Sequence, residues 1–152
     1  AFDVRFGTST TKLSAPFARR GLVAEFAMAW TLPRLVGHAN AMDLLLSGRT
    51  IEGDEALAMG LLNRIVAPEA LVATALDYAR DIATFCSPTA MATAKAQVAA
   101  DWTRSRAESE AAARALWEQD AQRVDFAEGI AANRERREPS FARLNGGWPP
   151  SA

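Results

Sequence analysis

One carboxylate in this sequence has the neighbours that proton-transfer chemistry asks for. Glu25 closes the run Gly21-Leu22-Val23-Ala24-Glu25 and is followed by Phe26 and then Trp30. An apolar setting disfavours the charged carboxylate and lifts its pKa toward the range in which a general acid or base works. The same residue also fits the first turn of a helix, where a glutamate complements the positive end of the helix dipole. The residues alone leave both readings open. Arg19 and Arg20 flank this loop, and a guanidinium there suits either a pair with Glu25 or a phosphate; solvated surface charge explains them equally well. Arg134, Arg136 and Arg137 form a basic cluster further on, which a helix C-terminus would also favour.

Several chemistries are excluded by count. A single Cys86 and a single His38 supply neither a disulfide framework nor a zinc site. Cys86 reads as a small buried hydrophobe and His38, after Gly37, as a helix-end residue. There is no Gly-rich phosphate loop and no metal-ligand spacing. Basic and acidic side chains number 17 and 18, a formal net charge of -1, which argues against a nucleic-acid binder that works by neutralising phosphates. The longest apolar runs, such as Leu44-Leu45-Leu46, are far short of a membrane span. No signal peptide is visible, so the expected compartment is the cytoplasm.

The elements that must position these residues can be read from periodicity. Ala1 to Phe6 alternates like a strand, Gly7 to Thr11 is turn-rich, and Lys12-Leu13-Ser14 predicts a second short strand ended by Pro16. Glu25 to Val36 has helical spacing, with Pro33 as a flaw and Gly37 as its stop. Ala39 to Leu46 predicts a short helix closed by Ser47-Gly48. Thr50-Ile51 is extended, Asp54 to Met59 helical, and Leu62 to Val66 a strand. Pro68 to Thr84 carries one apolar stripe, Leu71, Val72, Ala75, Leu76, Ala79, Ile82 and Ala83, at a period of about 3.6. Ser87-Pro88 is a helix start, an N-cap hydroxyl followed by proline. Further helices are predicted over Glu108 to Gln122 and Asp125 to Arg136. Asn145 to Pro150 reads as a mobile tail. The chain of 152 residues contains 33 alanines, which suits either close helix packing or simply helix formation.

Thr31 to Val66 goes beyond generic helix and strand. Leu32-Pro33-Arg34-Leu35-Val36-Gly37 is followed by Ala41-Met42-Asp43-Leu44-Leu45-Leu46-Ser47-Gly48-Arg49, then by Glu55-Ala56-Leu57-Ala58-Met59-Gly60-Leu61-Leu62-Asn63-Arg64-Ile65-Val66. Late in the chain stand Glu128-Gly129-Ile130-Ala131-Ala132 and Arg136-Arg137-Glu138-Pro139-Ser140-Phe141. Together these resemble the enoyl-CoA hydratase/isomerase (crotonase) family over nearly the whole chain, in order and with few gaps. The resemblance corresponds to the C-terminal half or somewhat more of a member.

The resemblance implies an α/β crotonase-like fold, a spiral of ββα units, here mostly helical with a few short strands. Residues 1–66 would finish the ββα core, residues 67–142 would be the helical trimerisation region and residues 143–152 a flexible tail. It implies an acyl-CoA thioester as partner and an enolate held by two backbone N–H donors, which act where negative charge develops. It also implies a homotrimer or hexamer, no nucleic-acid or membrane partner, and no cofactor beyond the coenzyme A of the substrate. Family hydratases carry a glutamate after Gln-Pro; here the segment reads Ala15-Pro16-Phe17, and Phe17 cannot move a proton. In the dienoyl-CoA isomerase branch a catalytic aspartate falls where Glu25 stands. Glu25 is therefore the expected proton shuttle, with Leu22, Phe26, Trp30 and Phe17 as substrate-binding candidates and Arg19 and Arg136 as candidates for the CoA phosphates. The competing expectation is a catalytically inactive helical assembly fragment.

Overall fold

The computed structural model describes residues 3–120 and 123–144. They fall into two compact units divided between Leu76 and Asp77.

The described part of the first unit is built from two minimal sheets and three complete α-helices, whose ranges follow. β1 (Phe6–Gly7) runs parallel to β4 (Arg64–Ile65), with Phe6 opposite Arg64 and Gly7 opposite Ile65. β2 (Leu13–Ser14) runs antiparallel to β3 (Thr50–Ile51). Two-stranded ribbons this short are marginal in water by themselves, so other contacts must fix them. Arg5 does this for the parallel pair. Its N–H donates to the Asn63 side-chain oxygen at 2.8 Å, its carbonyl accepts the Asn63 N–H at 2.8 Å, and its Nε donates to the Leu61 carbonyl at 2.6 Å.

The helices follow the apolar spacing. α1 (Met28–Val36) and α2 (His38–Ser47) are joined by Gly37 alone, whose positive φ of 79° lets the chain reverse between them. α3 (Gly53–Ala58) follows β3. Leu32, Val36, Ala41, Leu44, Ile51, Ala56 and Leu62 form the buried core that these elements share. Pro33 sits inside α1 and forfeits a backbone hydrogen bond there. Buried Leu32 and Val36 on either side hold the helix in place. Gly53 is required by close approach: a Cβ there would lie 1.9 Å from the Thr8 carbonyl oxygen.

The helix predicted from Glu25 begins three residues later, at Met28. Phe26 and Ala27 adopt φ of 54° and 55°, and the Glu25 carbonyl accepts the Met28 N–H at 3.0 Å. This is a reverse turn with both central residues left-handed, a conformation glycine and asparagine favour. Other residues pay about 1–2 kcal/mol each for it.

α4 (Leu71–Phe85) is entered through a 3-10 turn at Pro68–Ala70. The second unit holds α5 (Pro88–Asp101), α6 (Arg106–Asp120) and α7 (Val124–Glu135). Ser87 caps α5 as its sequence predicts, accepting the Ala90 N–H at 3.1 Å, and its hydroxyl donates to the Asp125 carboxylate in the first turn of α7. α6 starts two residues earlier than its apolar pattern because Ser105 and Glu108 cap it reciprocally: the Ser105 N–H donates to the Glu108 carboxylate at 2.7 Å and the Glu108 N–H to Ser105 Oγ at 3.3 Å. α7 ends on Arg136, itself left-handed at φ 55°. Residues 145–152, where a mobile tail is expected, lie outside the described residues.

Candidate functional site

The loop between β2 and α1 carries most of the residues that the sequence singles out. Phe17 is half-buried, and its carbonyl accepts the N–H groups of Arg20 at 2.9 Å and Leu22 at 3.0 Å, which closes the loop on itself. Gly21, at φ 69°, ends the intervening 3-10 turn. The chain then runs through Leu22, Val23 and Ala24 to Glu25 and the left-handed turn.

The described residues do not enclose Glu25 in the expected apolar setting. The Glu25 side chain is exposed, and its apolar neighbours are exposed with it: Leu22 is 49% accessible, Val23 80%, Phe26 88% and Trp30 45%. Four large hydrophobic side chains near Glu25 in sequence are thus exposed along with it. Trp30 has a contact that the sequence reading missed. The Arg34 guanidinium lies 4.2 Å from the centre of its ring, and Arg34 Nη1 donates to the Trp30 carbonyl at 2.8 Å. The spacing of one helical turn between Trp30 and Arg34 was the available signal.

Arg19 is tied into the scaffold. Its Nε donates to the Ser47 carbonyl at 2.6 Å, at the end of α2. No such bond joins it to Glu25 among the described contacts. Arg136, in the second unit, is an exposed helix-ending residue. Its neighbour Arg137 instead forms the ion pairs, with Glu128 at 2.6 Å and Glu135 at 2.6 Å. Glu128 also accepts the Ser140 N–H at 2.7 Å. These bonds pull the Glu128 carboxyl down to about 2, Arg137 contributing most and the Ser140 N–H next.

A separate feature of the first unit is an apolar cavity of about 700 Å³. Met28 and Leu32 of α1 line it, with Val4 and Phe6 beside β1, Leu13 of β2, Ile51 of β3, Leu61 and Leu62 before β4, and Leu71, Val72 and Leu76 of α4. Among the described residues no carboxylate and no histidine lines it, and none of Phe17, Arg19, Leu22, Glu25, Phe26 or Trp30 does. Glu25 nevertheless reaches its wall through the backbone, since its carbonyl holds the N–H of cavity-lining Met28.

Ser47-Gly48-Arg49 has a structural role. Arg49 donates to Asp43 through Nε at 2.9 Å and to Glu55 through Nη1 at 3.0 Å, bridging α2 and α3. The pairing raises the Arg49 pKa and lowers that of Glu55. Among the described residues no group of three or more His, Cys, Asp or Glu side chains is placed to hold a metal ion. No helix among them is long and apolar enough to cross a membrane.

Comparison with known proteins identifies the class of protein to which this fold belongs. The sequence profile of the enoyl-CoA hydratase/isomerase family matches residues 1–144. The chain belongs to the enoyl-CoA hydratase/isomerase family, and its fold is that of the crotonases. It is 35% identical over 139 residues to a probable enoyl-CoA hydratase of Rhizobium meliloti (strain 1021), covering 91% of this chain and 54% of that protein. It is 33% identical over 140 residues to the enoyl-CoA hydratase AFT3-1 of Alternaria alternata, covering 91% of this chain and 47% of that one. A crystal structure of a probable enoyl-CoA hydratase/isomerase from Mycobacterium abscessus superposes with a TM-score of 0.89 at 33% identity, over 93% of this chain and 58% of that chain. The chain thus spans about half the length of the relatives it matches.

Proposed function

We propose that the polypeptide carrying this chain is an enzyme that moves protons on an unsaturated acyl-CoA thioester, through an enolate held in an oxyanion hole, with Glu25 as the proton shuttle. The observation that carries the reading is the family match over residues 1–144, a span that includes the loop of Glu25. Phe17 stands where the second glutamate of a hydratase would be, so the reading leans to double-bond isomerisation, or to hydration by a mechanism that does not use that glutamate. Leu22, Phe26, Trp30 and Phe17 would border the acyl group, and Arg19 and Arg136 are the candidates for the CoA phosphates. Coenzyme A enters as part of the substrate, and the proposal calls for no further cofactor. A cytoplasmic location belongs to the same proposal.

The test is an assay of the natural polypeptide with crotonyl-CoA, which reports hydration, and with a 3-enoyl-CoA, which reports isomerisation. Turnover of the second alone selects isomerisation. Turnover of neither removes the reading.

A second reading, an assembly module without activity, has its own support in the second unit. Val98, Trp117, Val124 and Ile130 are more than half exposed there, and only Ala92 and Ala132 are buried apolar residues among those described. Helices in this condition cover their apolar faces with a partner, and a homotrimer or hexamer would supply it. Sedimentation velocity tests it: a monomer at every accessible concentration sinks the assembly reading.

A further inference from the structure

The choice of residue at position 26 is unfavourable in two independent ways. Its backbone is left-handed, where a bulky side chain is disfavoured, and within this chain, about half the length of its relatives, its ring is 88% exposed. Neither the turn nor the core of this chain gains from a phenylalanine there. Glycine would relieve the backbone, and a polar residue would relieve the surface. Departures from local preference that the fold does not repay are expected where a side chain serves a ligand.

The surroundings indicate which ligand. Phe26 directly follows Glu25, and Leu22, Val23 and Trp30 add apolar surface on the same loop and helix start. The turn is held at both ends: the Glu25 carbonyl accepts the Met28 N–H at 3.0 Å, and the Ala27 carbonyl accepts the N–H groups of Trp30 at 3.0 Å and Thr31 at 2.9 Å. The ring is therefore carried on a defined backbone and not on a loose one. A flexible apolar chain attached next to the atom that exchanges a proton with Glu25 would pass against it.

Resting on the acyl-thioester reading given above, we infer that Phe26 is a specificity-determining residue whose ring contacts the acyl chain of the substrate and sets the preference for chain length. The left-handed turn at Phe26–Ala27 serves to aim that ring outward beside the carboxylate. Longer acyl chains gain from the contact, and short ones do not reach it.

The experiment measures binding of two non-reacting thioesters, butyryl-CoA and dodecanoyl-CoA, to the natural polypeptide and to its Phe26→Ala and Ala27→Gly variants. The wild type is expected to hold dodecanoyl-CoA more tightly. Phe26→Ala should weaken dodecanoyl-CoA roughly tenfold, the scale of a lost apolar contact in a pocket, and leave butyryl-CoA within about twofold. Ala27→Gly relieves the backbone but keeps the ring, and should keep the length preference. An unchanged preference in Phe26→Ala overturns the inference, as does loss of the preference in Ala27→Gly. If Phe26→Ala does not fold, Phe26→Leu takes its place and should give a smaller drop of the same sign. A Phe26→Ala variant that dissociates an oligomer while keeping the length preference assigns the ring to a second copy, and also overturns it. A wild type that turns over no enoyl thioester yet loses its length preference in Phe26→Ala keeps this inference and removes the proposed reaction.

Discussion

The backbone carbonyl of Glu25 and the amide N–H of Met28 are hydrogen-bonded at 3.0 Å, and between them the chain makes a left-handed turn. The bond places the one carboxylate of interest immediately outside a helix whose next residues line an apolar cavity. Glu25 is thus outside the cavity but fixed to its wall. A shift of α1 would carry Glu25 with it.

If Glu25 moves the proton, Glu25→Gln keeps its size and hydrogen-bonding reach but removes its basicity. In the natural polypeptide kcat should fall at least about 100-fold with KM little changed. Steady-state kinetics on a 3-enoyl-CoA checks this, and an unchanged kcat removes Glu25 from the reaction.

The strain at Ala27 makes an independent stability prediction. Ala27→Gly should raise the unfolding free energy by about 1 kcal/mol, because relief of the left-handed backbone outweighs the added freedom of the unfolded chain. Urea denaturation followed by circular dichroism reads this directly. A loss of stability would show that the turn is not strained.

Gly53→Ala should act in the other direction. Its methyl would meet the Thr8 carbonyl, and the Gly53 N–H donates to the Ser9 carbonyl at 3.0 Å, so the Thr8–Ser9 segment and α3 cannot move apart without losing a bond. A loss of at least about 2 kcal/mol is expected, in the range of overpacked cores. Thermal unfolding of the purified variant would report it.

Acid should loosen the end of the second unit. The folded Glu128 carboxyl lies at about 2, below the ordinary glutamate value of about 4.3, so its contribution is present above that value and is lost as pH falls toward 2. The Ser140 amide, bonded to Glu128 at 2.7 Å, should lose hydrogen-exchange protection over that window. Glu128→Gln should lack protection already at neutral pH. Protection that is equal in both proteins would remove this ion pair from the stability of the segment.

Legibility in the sequence followed the range of the interactions. α5 was readable because its cap is local, a Ser-Pro start in which Ser87 bonds Ala90. The pair α1 and α2 was readable because Leu32, Val36, Ala41 and Leu44 repeat at helical spacing and meet in one core. The start of α1 was missed because nothing in Glu25-Phe26-Ala27 announces a left-handed turn, a conformation usually signalled by glycine or asparagine. The Ser105–Glu108 cap was a written signal that apolar periodicity passed over. The cavity was not legible, since its lining comes from Val4 to Leu76 and depends on which elements meet. Family likeness located the loop of Glu25 but not its exposure. This chain spans about half the length of its relatives, and among its described residues the Glu25 side chain is exposed.

The parallel pairing of β1 with β4 has a mechanical consequence. Arg5 and Asn63 are 58 positions apart yet clasp each other by two backbone-anchored bonds. Tension applied at the amino end is delivered directly to the segment leading into α4, bypassing the three core helices. In a pulling experiment the three helices between them, α1, α2 and α3, would form a slack loop, shielded until that clasp gives way.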